Sequence, residues 1–250
     1  MNKKDKIISY LSILRLPAIK DTLDETLIQA EKEKMTYQEL LYDIFHTEVK
    51  QKQEKARLRR LKQSRLNLNK TVDNFNYEFQ SSISKAQIKQ LLDFEWLEQA
   101  FNLIFLGPPG VGKTHLANGI GLKAVDTGYK VIFINMDELI MVMKTSEVIK
   151  KSLQLLKKIK KADLIIIDEL GYLPINKQEA NDFFQLINEM YEQTSVILTS
   201  NKSLGKWGEV LGDQVITTAI LDRVMHHSEI FNLTGKSYRL EHREKIINPV

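Results

Sequence analysis

The sequence predicts an α/β protein in which helices cover a parallel sheet and a small all-helical domain comes first. Short apolar runs, which suit buried parallel strands, alternate with amphipathic helical patterns. A glycine-rich loop joins the first of these runs to a helix, and a later run ends in two adjacent carboxylates. Alternation of this kind implies right-handed crossovers and places ligands beyond the carboxyl ends of the strands.

The first 66 residues are predicted to form the helical domain. Apolar residues recur at helical spacing from Ile7 to Leu14, and Pro17 is expected to end this helix. Two later pairs fit the capping box, in which a hydroxyl and a carboxyl satisfy the first free N–H groups of a helix. These pairs are Thr22 with Glu25 and Thr36 with Glu39.

Positive charge is concentrated in this part of the chain. Residues 1–70 contain 16 Lys or Arg against 10 Asp or Glu, whereas the rest contains 20 against 22. The stretch from Lys50 to Arg65 has Glu54 as its single acid, and a second stretch from Lys144 to Lys161 carries seven lysines against one glutamate. Cationic helices of this kind neutralise nucleic-acid phosphates without reading sequence, although a solvated helix face is the alternative.

Residues 67–82 are predicted to be an ordered linker and residues 83–250 the α/β domain. Ser84 with Gln87 forms another capping box and predicts a helix that runs to Leu97 and delivers the chain to the first strand. The aromatic residues of the linker are expected to pack either in the hydrophobic core or against the base of a bound ligand. They are Phe75, Tyr77 and Phe79.

The first strand, Phe101 to Leu106, leads into a phosphate-binding loop. Gly107 to Thr114 reads Gly-Pro-Pro-Gly-Val-Gly-Lys-Thr and matches the pattern G-x-x-x-x-G-K-[ST]. Its glycines let backbone N–H groups approach a polyphosphate at the start of a helix, Lys113 adds a positive charge, and the Thr114 hydroxyl suits Mg²⁺. The residues expected at a nucleoside triphosphate are Gly107, Pro108, Pro109, Gly110, Val111, Gly112, Lys113, Thr114 and His115.

A second apolar strand, Leu164 to Glu169, ends in the paired carboxylates. At the carboxyl edge of a parallel sheet this pair comes close to the phosphate loop. Asp168 is then placed to hold Mg²⁺, with Thr114, and Glu169 to polarise the water that attacks the γ-phosphate. Asn201 follows the strand Ser195 to Ser200, where its amide contacts the γ-phosphate or its water, or forms an ordinary turn.

Three further stretches are predicted to form strands. Val131 to Ile134 is predicted as a buried strand, and Asn176 with Glu179 as a helix start. The stretches Ile230 to Thr234 and Ser237 to Leu240 are expected to pair as terminal strands. Three histidines have a spacing that fits no structural metal site: His226, His227 and His242.

Composition and hydropathy indicate in which compartment of the cell the protein is expected. The chain has no cysteine, which excludes disulfides and thiolate metal sites and is compatible with a reducing cytoplasm. Arg15 and Pro17 interrupt the N-terminal apolar run, so no secretory signal is expected, and no stretch approaches the length of a transmembrane helix. We therefore expect a cytoplasmic protein without a membrane partner.

Five stretches, in this order, resemble the IstB family: Gly-Pro-Pro-Gly-Val-Gly-Lys-Thr-His-Leu-Ala, Asp-Glu-Leu-Gly-Tyr, Thr-Ser-Asn, Leu-Asp-Arg and Gly-Lys-Ser-Tyr-Arg-Leu. IstB proteins are ATP-binding transposition helpers encoded by bacterial insertion sequences. They belong to the AAA+ ATPases, beside the DnaC helicase loaders and the DnaA initiators. The likeness covers about residues 5–245 and implies an AAA+ sheet, ATP as the nucleotide and a bacterial cytoplasmic location.

The resemblance also assigns roles to residues. Gly107 to Thr114 correspond to Walker A, Asp168 and Glu169 to Walker B, and Asn201 to sensor 1. Arg223 matches the position of an arginine finger, which enters the nucleotide site of a neighbouring subunit and therefore implies a ring or helical homo-oligomer.

Two points of the resemblance stay open. Asp222 and Arg223 instead form a local ion pair in the alternative interpretation. Little sequence follows Arg239, so we expect no C-terminal helical lid domain, and Arg239 is then a substitute for the sensor 2 arginine that such a lid carries.

By resemblance, the function is that of an ATP-dependent DNA-binding oligomeric ATPase, stimulated by DNA and by oligomerisation. It helps a cognate transposase to select or remodel target DNA, and it binds duplex DNA largely without regard to sequence. The alternative is a DnaC-like replicative helicase loader. A small-molecule kinase is a third class, which Glu169 and Arg223 disfavour because they suit water activation in an oligomer.

Overall fold

The computed structural model describes residues 2–243, which fall into two compact units, one ending at Arg59 and the other beginning at Arg60. The domain boundaries expected after residues 66 and 82 stay predictions. No helix within residues 2–243 is both long enough and apolar enough to cross a membrane.

The first unit is helical, as the sequence predicts. Its helices are α1 (Lys3–Ile13), α2 (Pro17–Glu33) and α3 (Tyr37–Ser64), of which α3 continues into the second unit. The capping box at the start of α3 is confirmed, because the Thr36 N–H donates to Glu39 Oε2 at 2.7 Å and the Glu39 N–H donates to Thr36 Oγ1 at 3.3 Å. The bonds that the Glu39 carboxylate accepts from the Thr36 N–H and the Thr36 hydroxyl lower the pKa of Glu39.

The helix start predicted at Thr22 is wrong. The helix α2 begins five residues earlier, at Pro17, whose fixed φ suits the first turn of a helix. Thr22 lies inside the helix, and its hydroxyl donates to the Ala18 carbonyl at 3.0 Å. The free N–H of Ile19 near the helix start donates to the buried carboxylate of Glu48 at 3.1 Å. A side chain of α3 thus replaces the local capping box.

A five-stranded parallel sheet forms the centre of the second unit. Its strands are β1 (Asn102–Leu106), β2 (Val131–Asn135), β3 (Leu164–Leu170), β4 (Ser195–Ser200) and β5 (Ser228–Asn232). They lie in the order β2-β3-β4-β1-β5, and every neighbouring pair is parallel. The predicted parallel sheet is confirmed.

The prediction of two paired terminal strands is wrong. Only the first stretch forms a strand, β5, which pairs with β1 at the sheet edge. The second forms a short helix, Tyr238–Glu241, because the chain leaves the sheet to meet the phosphate loop. The Leu233 N–H donates to the Leu106 carbonyl at 2.7 Å, and the Tyr238 N–H donates to the Gly110 carbonyl at 3.0 Å.

Helices lie between the strands along the chain. They are α4 (Lys85–Leu91), α5 (Glu95–Glu98), α6 (Lys113–Thr127), α7 (Met136–Thr145), α8 (Lys150–Ile159), α9 (Lys177–Met190), α10 (Trp207–Leu211), α11 (Gln214–His226) and α12 (Tyr238–Glu241). The single helix expected from Ser84 to Leu97 is divided into α4 and α5, because Phe94 has a left-handed φ of 63°. The capping boxes at Ser84 and Asn176 are confirmed.

Both faces of the sheet are buried, so successive residues of a strand enter different hydrophobic clusters. Ile165 packs on one face with Phe183 of α9 and Ile220 of α11, whereas Ile166 packs on the other with Leu116 of α6. This arrangement explains why the strands are continuous apolar runs rather than alternating ones. It leaves the two ends of the sheet as places for polar function.

The segment after α3 is fastened to α6. The Asn118 side chain donates to the carbonyls of Asn67 and Lys70 at 2.7 and 2.9 Å and accepts from the Asn67 N–H at 2.8 Å. Gly119 permits this closeness, since a Cβ there would lie 2.6 Å from the backbone nitrogen of Val72. The stretch predicted as a linker belongs to the second unit and packs on α6 there.

Candidate nucleotide-binding site

The phosphate loop leaves β1 and turns into α6. Gly107, Gly110 and Gly112 have φ angles of 147°, 83° and 99°, which residues with a side chain rarely adopt. A Cβ on Gly110 would lie 2.0 Å from the Ser237 hydroxyl, and one on Gly112 would lie 2.6 Å from the Phe75 ring. The glycines are therefore required both by the path of the loop and by the segments packed against it.

The Lys113 ammonium group points back into the loop. Its side chain is 7% exposed, and Nζ donates to the carbonyls of Gly107 at 2.7 Å and Pro108 at 2.9 Å. Burial lowers the pKa of Lys113 below its ordinary value, and the nearby Asp168 carboxylate partly opposes this shift. Phosphate oxygens in the loop would replace these two carbonyls as stronger, charged partners of the same group.

Asp168 lies beneath the loop, at the carboxyl end of β3. Its carboxylate is 3% exposed, and Oδ1 accepts hydrogen bonds from the hydroxyls of Thr114 at 2.9 Å and Thr199 at 2.5 Å. A carboxylate and a hydroxyl beside a phosphate loop form the oxygen donor set that Mg²⁺ uses with nucleotides. Thr114 and Asp168 therefore fit this ion, as the sequence predicts.

Glu169 follows Asp168 within β3 but departs from regular strand geometry. Its φ is 61°, and the pairing of β3 with β4 shifts register between Ile167 and Leu170. The Glu169 N–H donates to the Thr199 hydroxyl at 3.0 Å. The left-handed backbone separates the two carboxylates, so that Asp168 is buried and Glu169 is exposed at the site.

An open cleft of about 600 Å³ runs along this edge of the sheet. Nine of the predicted site residues line it: Pro109, Gly110, Val111, Gly112, Lys113, Thr114, His115, Glu169 and Asn201. Asp168 reaches the cleft through its bond with Thr114. Asn201 follows β4 directly, beside Thr199, which also lines the cleft.

Aromatic residues form part of the wall of the cleft, which we name the aromatic wall: Phe75, Phe79 and Tyr238. Phe75 belongs to a hydrophobic cluster, which is one of the two roles left open by the sequence, and its ring also lines the cleft. Phe79 meets Tyr238 edge to face, with ring centroids 5.2 Å apart, and Arg239 completes this wall. Sequence reasoning missed Tyr238 because it assigned that stretch to a strand.

His115 lies at the border of the cleft and fastens the linker. Its Nε2 is 2.8 Å from both the Thr71 carbonyl and the Asn74 side-chain oxygen. Asn74 and Gln80 were also missed by the sequence, and both line the cleft. Gln80 donates to the Val111 carbonyl at 2.9 Å, which holds the linker against the loop.

Arg223 is not part of this cleft. It lies on α11, where Nε donates to the Asn188 side chain at 2.9 Å and the guanidinium lies 4.8 Å from the centroid of Phe184. The carbonyl of the next residue, Val224, accepts a hydrogen bond from Asn102 at the first position of β1. Arg223 therefore lies near the amino end of the sheet, whereas the phosphate loop leaves the carboxyl end.

The local alternative for Arg223 is not seen. No ion pair joins Asp222 and Arg223 in the part of the chain that the structure describes.

Two histidines at the end of α11 lie close to a carboxylate. The potential ligand atoms of Glu192, His226 and His227 are within 4.8 Å of one another. His226 lies 2.9 Å from the Tyr191 hydroxyl and His227 3.7 Å from Glu192, so each histidine has a protein partner.

The fold is similar to that of the DnaC helicase loader. The solved structure superimposes with a TM-score of 0.56 at 23% identity, covering 66% of this chain and 97% of that chain. At this level of identity the likeness concerns the fold alone. It confirms the predicted fold, a parallel sheet with flanking helices.

The relatives by sequence are proteins of bacterial insertion sequences. An ATP-binding protein of insertion sequence IS21 from Pseudomonas aeruginosa is 41% identical over 235 residues, covering 94% of this chain and 89% of the relative. The corresponding protein of IS5376 from Geobacillus stearothermophilus is 40% identical over 242 residues, covering 97% and 96%. The family model for IstB-like ATP binding protein matches residues 9–246. The chain therefore belongs to the IstB-like family of insertion-sequence ATP-binding proteins.

Proposed function

We propose that the protein hydrolyses ATP and, as an oligomer on duplex DNA, helps a cognate transposase to select or remodel its target. The observation that carries the hydrolytic part is the convergence of five side chains at one edge of the sheet. They are Lys113, Thr114, Asp168, Glu169 and Asn201. A phosphate loop with buried Asp and exposed Glu beside it has separate groups for binding the triphosphate and for activating water.

Each residue has a distinct task in this proposal. Lys113 and the loop N–H groups orient the triphosphate, while Thr114 and Asp168 hold Mg²⁺. The ion supplies positive charge against the β- and γ-phosphates. Glu169 accepts a proton from the attacking water, and the Asn201 amide orients that water.

The oligomer is proposed from the position of Arg223. The guanidinium lies at the end of the sheet opposite the loop of its own chain, beside Asn188 and Phe184. A charge placed there can serve a nucleotide phosphate only if that nucleotide is held by another copy. We therefore assign Arg223 to the nucleotide site of a neighbouring subunit, where it stabilises charge on the γ-phosphate.

The role in transposition is supported by the relatives, whose names place them in insertion sequences. The sequence pI of about 9.0 supports an acidic partner. Reconstituted transposition tests this role directly: purified protein with ATP and duplex target should increase insertion by the cognate transposase. The Glu169→Gln variant should bind target but change the ATP dependence of insertion.

Duplex binding itself should depend on ATP, be largely indifferent to sequence and weaken steeply with salt. A preference for single strands, together with binding to a replicative helicase and no effect on the transposase, would replace this proposal with the helicase-loader alternative.

A further inference from the structure

A second cleft lies at the opposite end of the sheet from the nucleotide site. Its volume is about 330 Å³, and three elements supply its cations. The end of α3 contributes one, the residue before β2 contributes another, and the end of α8 and the residues after it contribute three. The cations are Arg60, Lys130, Lys157, Lys158 and Lys161. We name this region the basic cleft.

The charge of the basic cleft is not neutralised locally. None of its five cations has a carboxylate within 4.0 Å in residues 2–243. The nearest acid in sequence, Asp163, accepts a hydrogen bond from the Lys130 backbone N–H at 2.7 Å and does not line the cleft. Lys160, by contrast, lies outside the cleft and pairs with Glu189 of α9. Of the four lysines from Lys157 to Lys161, the one that forms an ion pair thus lies outside the cleft, and the other three line it.

Arg60 is partly buried and held by the fold, whereas the four lysine side chains are exposed. The Arg60 Nε donates to the Val125 carbonyl in the last turn of α6, at 3.4 Å. Between the cations the lining is apolar and buried: Val131, Ile132 and Ala162. The cations therefore surround a common apolar floor.

The chemistry of the lining selects the type of ligand. Four of the five cations are lysines, which act as flexible point charges rather than as planar forks for one defined group. Gln63 is the only other polar side chain of the lining, and no aromatic ring is present there. Single-stranded nucleic acids depend on stacking with aromatic side chains, and base reading depends on directed hydrogen bonds. The lining provides neither aromatic rings for stacking nor a set of directed groups for base reading. Its separate positive charges instead match the successive phosphates of a nucleic-acid backbone.

We propose that the basic cleft binds the phosphodiester backbone of duplex DNA, an inference that rests on the proposed function. Both cationic stretches of the sequence contribute to it, the first through Arg60 and the second through the lysines of α8. DNA and ATP are then held at opposite ends of one sheet. From Asp163 to Asp168 the separation is five residues of β3, or about 16 Å at roughly 3.3 Å per residue.

The test compares three double variants, each of which removes two positive charges. Lys157→Gln with Lys161→Gln, and Arg60→Gln with Lys130→Gln, change the cleft from different elements. Lys150→Gln with Lys151→Gln changes exposed lysines of the same helix α8 that do not line it. Duplex affinity is measured with ATP present, by fluorescence anisotropy over a series of salt concentrations.

Both cleft variants should bind duplex more weakly and flatten the log–log salt dependence by about 1.8, since each phosphate contact contributes about 0.9. Their ATP affinity and the DNA binding of the Lys150 and Lys151 control should stay at the wild-type level. Equal losses in all three variants would show that net charge, not the cleft, is responsible. Unchanged binding by the cleft variants beside a wild type that binds DNA would overturn this inference alone. A wild type that fails to bind duplex would overturn the proposed function as well.

Discussion

One hydroxyl organises the two carboxylates of the nucleotide site. Thr199 on β4 donates to Asp168 and accepts from the Glu169 N–H, so a single side chain fixes both residues of the acidic pair. It touches neither nucleotide nor water in the proposed mechanism. Thr199 is therefore a positioning residue.

Replacing Thr199 by Val keeps the shape and removes the hydroxyl. The Glu169 N–H then loses its acceptor, and we expect a loss of about 1–3 kcal/mol in the free energy of unfolding. The hydrolysis rate should fall, with a smaller change in ATP affinity, because Lys113 is untouched. Urea unfolding and steady-state hydrolysis measure the two effects. Thr199→Ser retains the hydroxyl and should recover most of both; equal damage by Ser and Val would contradict the assignment.

Two charged residues of the cleft, Lys113 and Glu169, should separate ATP binding from ATP turnover. Lys113→Ala removes the ammonium group from the triphosphate and should weaken ATP binding. Glu169→Gln keeps the binding charges and removes the base, so hydrolysis should fall by about 10²- to 10⁴-fold at unchanged affinity. Calorimetric titration and a phosphate-release assay distinguish the two. Normal hydrolysis by Glu169→Gln in the presence of DNA would remove that residue from the mechanism.

At the scale of elements, the phosphate loop is fixed by a segment far away in sequence. Gly110 has a φ of 83° and no room for a Cβ beside Ser237, whereas Gly128 has a φ of 116° and open space around it. Gly205 has open space and is not among the glycines of positive φ. These three positions separate the backbone effect from the packing effect.

A series of Gly→Ala variants should follow this order. At Gly205 we expect almost no change in the free energy of unfolding, and at Gly128 a loss of about 1–2 kcal/mol from the backbone alone. Gly110→Ala should lose more and also weaken ATP binding, since the loop must move away from Ser237. Chemical denaturation of the three variants checks the order. A Gly110→Ala protein no less stable than Gly128→Ala would show that Ser237 yields without cost.

The sequence predicts those elements whose signals are local. Apolar runs revealed β1 to β4, and the capping boxes at Thr36, Ser84 and Asn176 marked true helix starts because both partners lie within four residues. The prediction at Thr22 was wrong because the N–H of Ile19, near the start of α2, is capped by Glu48, which lies twenty-nine residues later in the chain. The aromatic wall and the basic cleft likewise depend on side chains brought together from distant segments.

At the scale of the whole molecule, the proposed role of Arg223 means that the nucleotide site of one subunit is completed by a residue of the next. If Arg223 serves the next copy, mixing Arg223→Ala subunits with Lys113→Ala subunits should restore part of the ATPase activity that each lacks alone. Some neighbouring pairs then combine an intact loop with an intact arginine. Phosphate release as a function of mixing ratio is the measurement. Absence of recovery indicates a role within one chain, and full activity of Arg223→Ala alone indicates no role.

The helix α6 begins in the phosphate loop, and its last turn accepts a hydrogen bond from Arg60 in the basic cleft. The helix α6 therefore contacts residues of both proposed binding sites. Thermodynamic reciprocity then requires that any factor by which ATP tightens DNA is also the factor by which DNA tightens ATP. Substituting Arg60 should bring both ratios toward one together. Such a loss of cooperativity, with the affinity for ATP alone unchanged, would mark α6 as the path by which the two ends of the sheet influence each other.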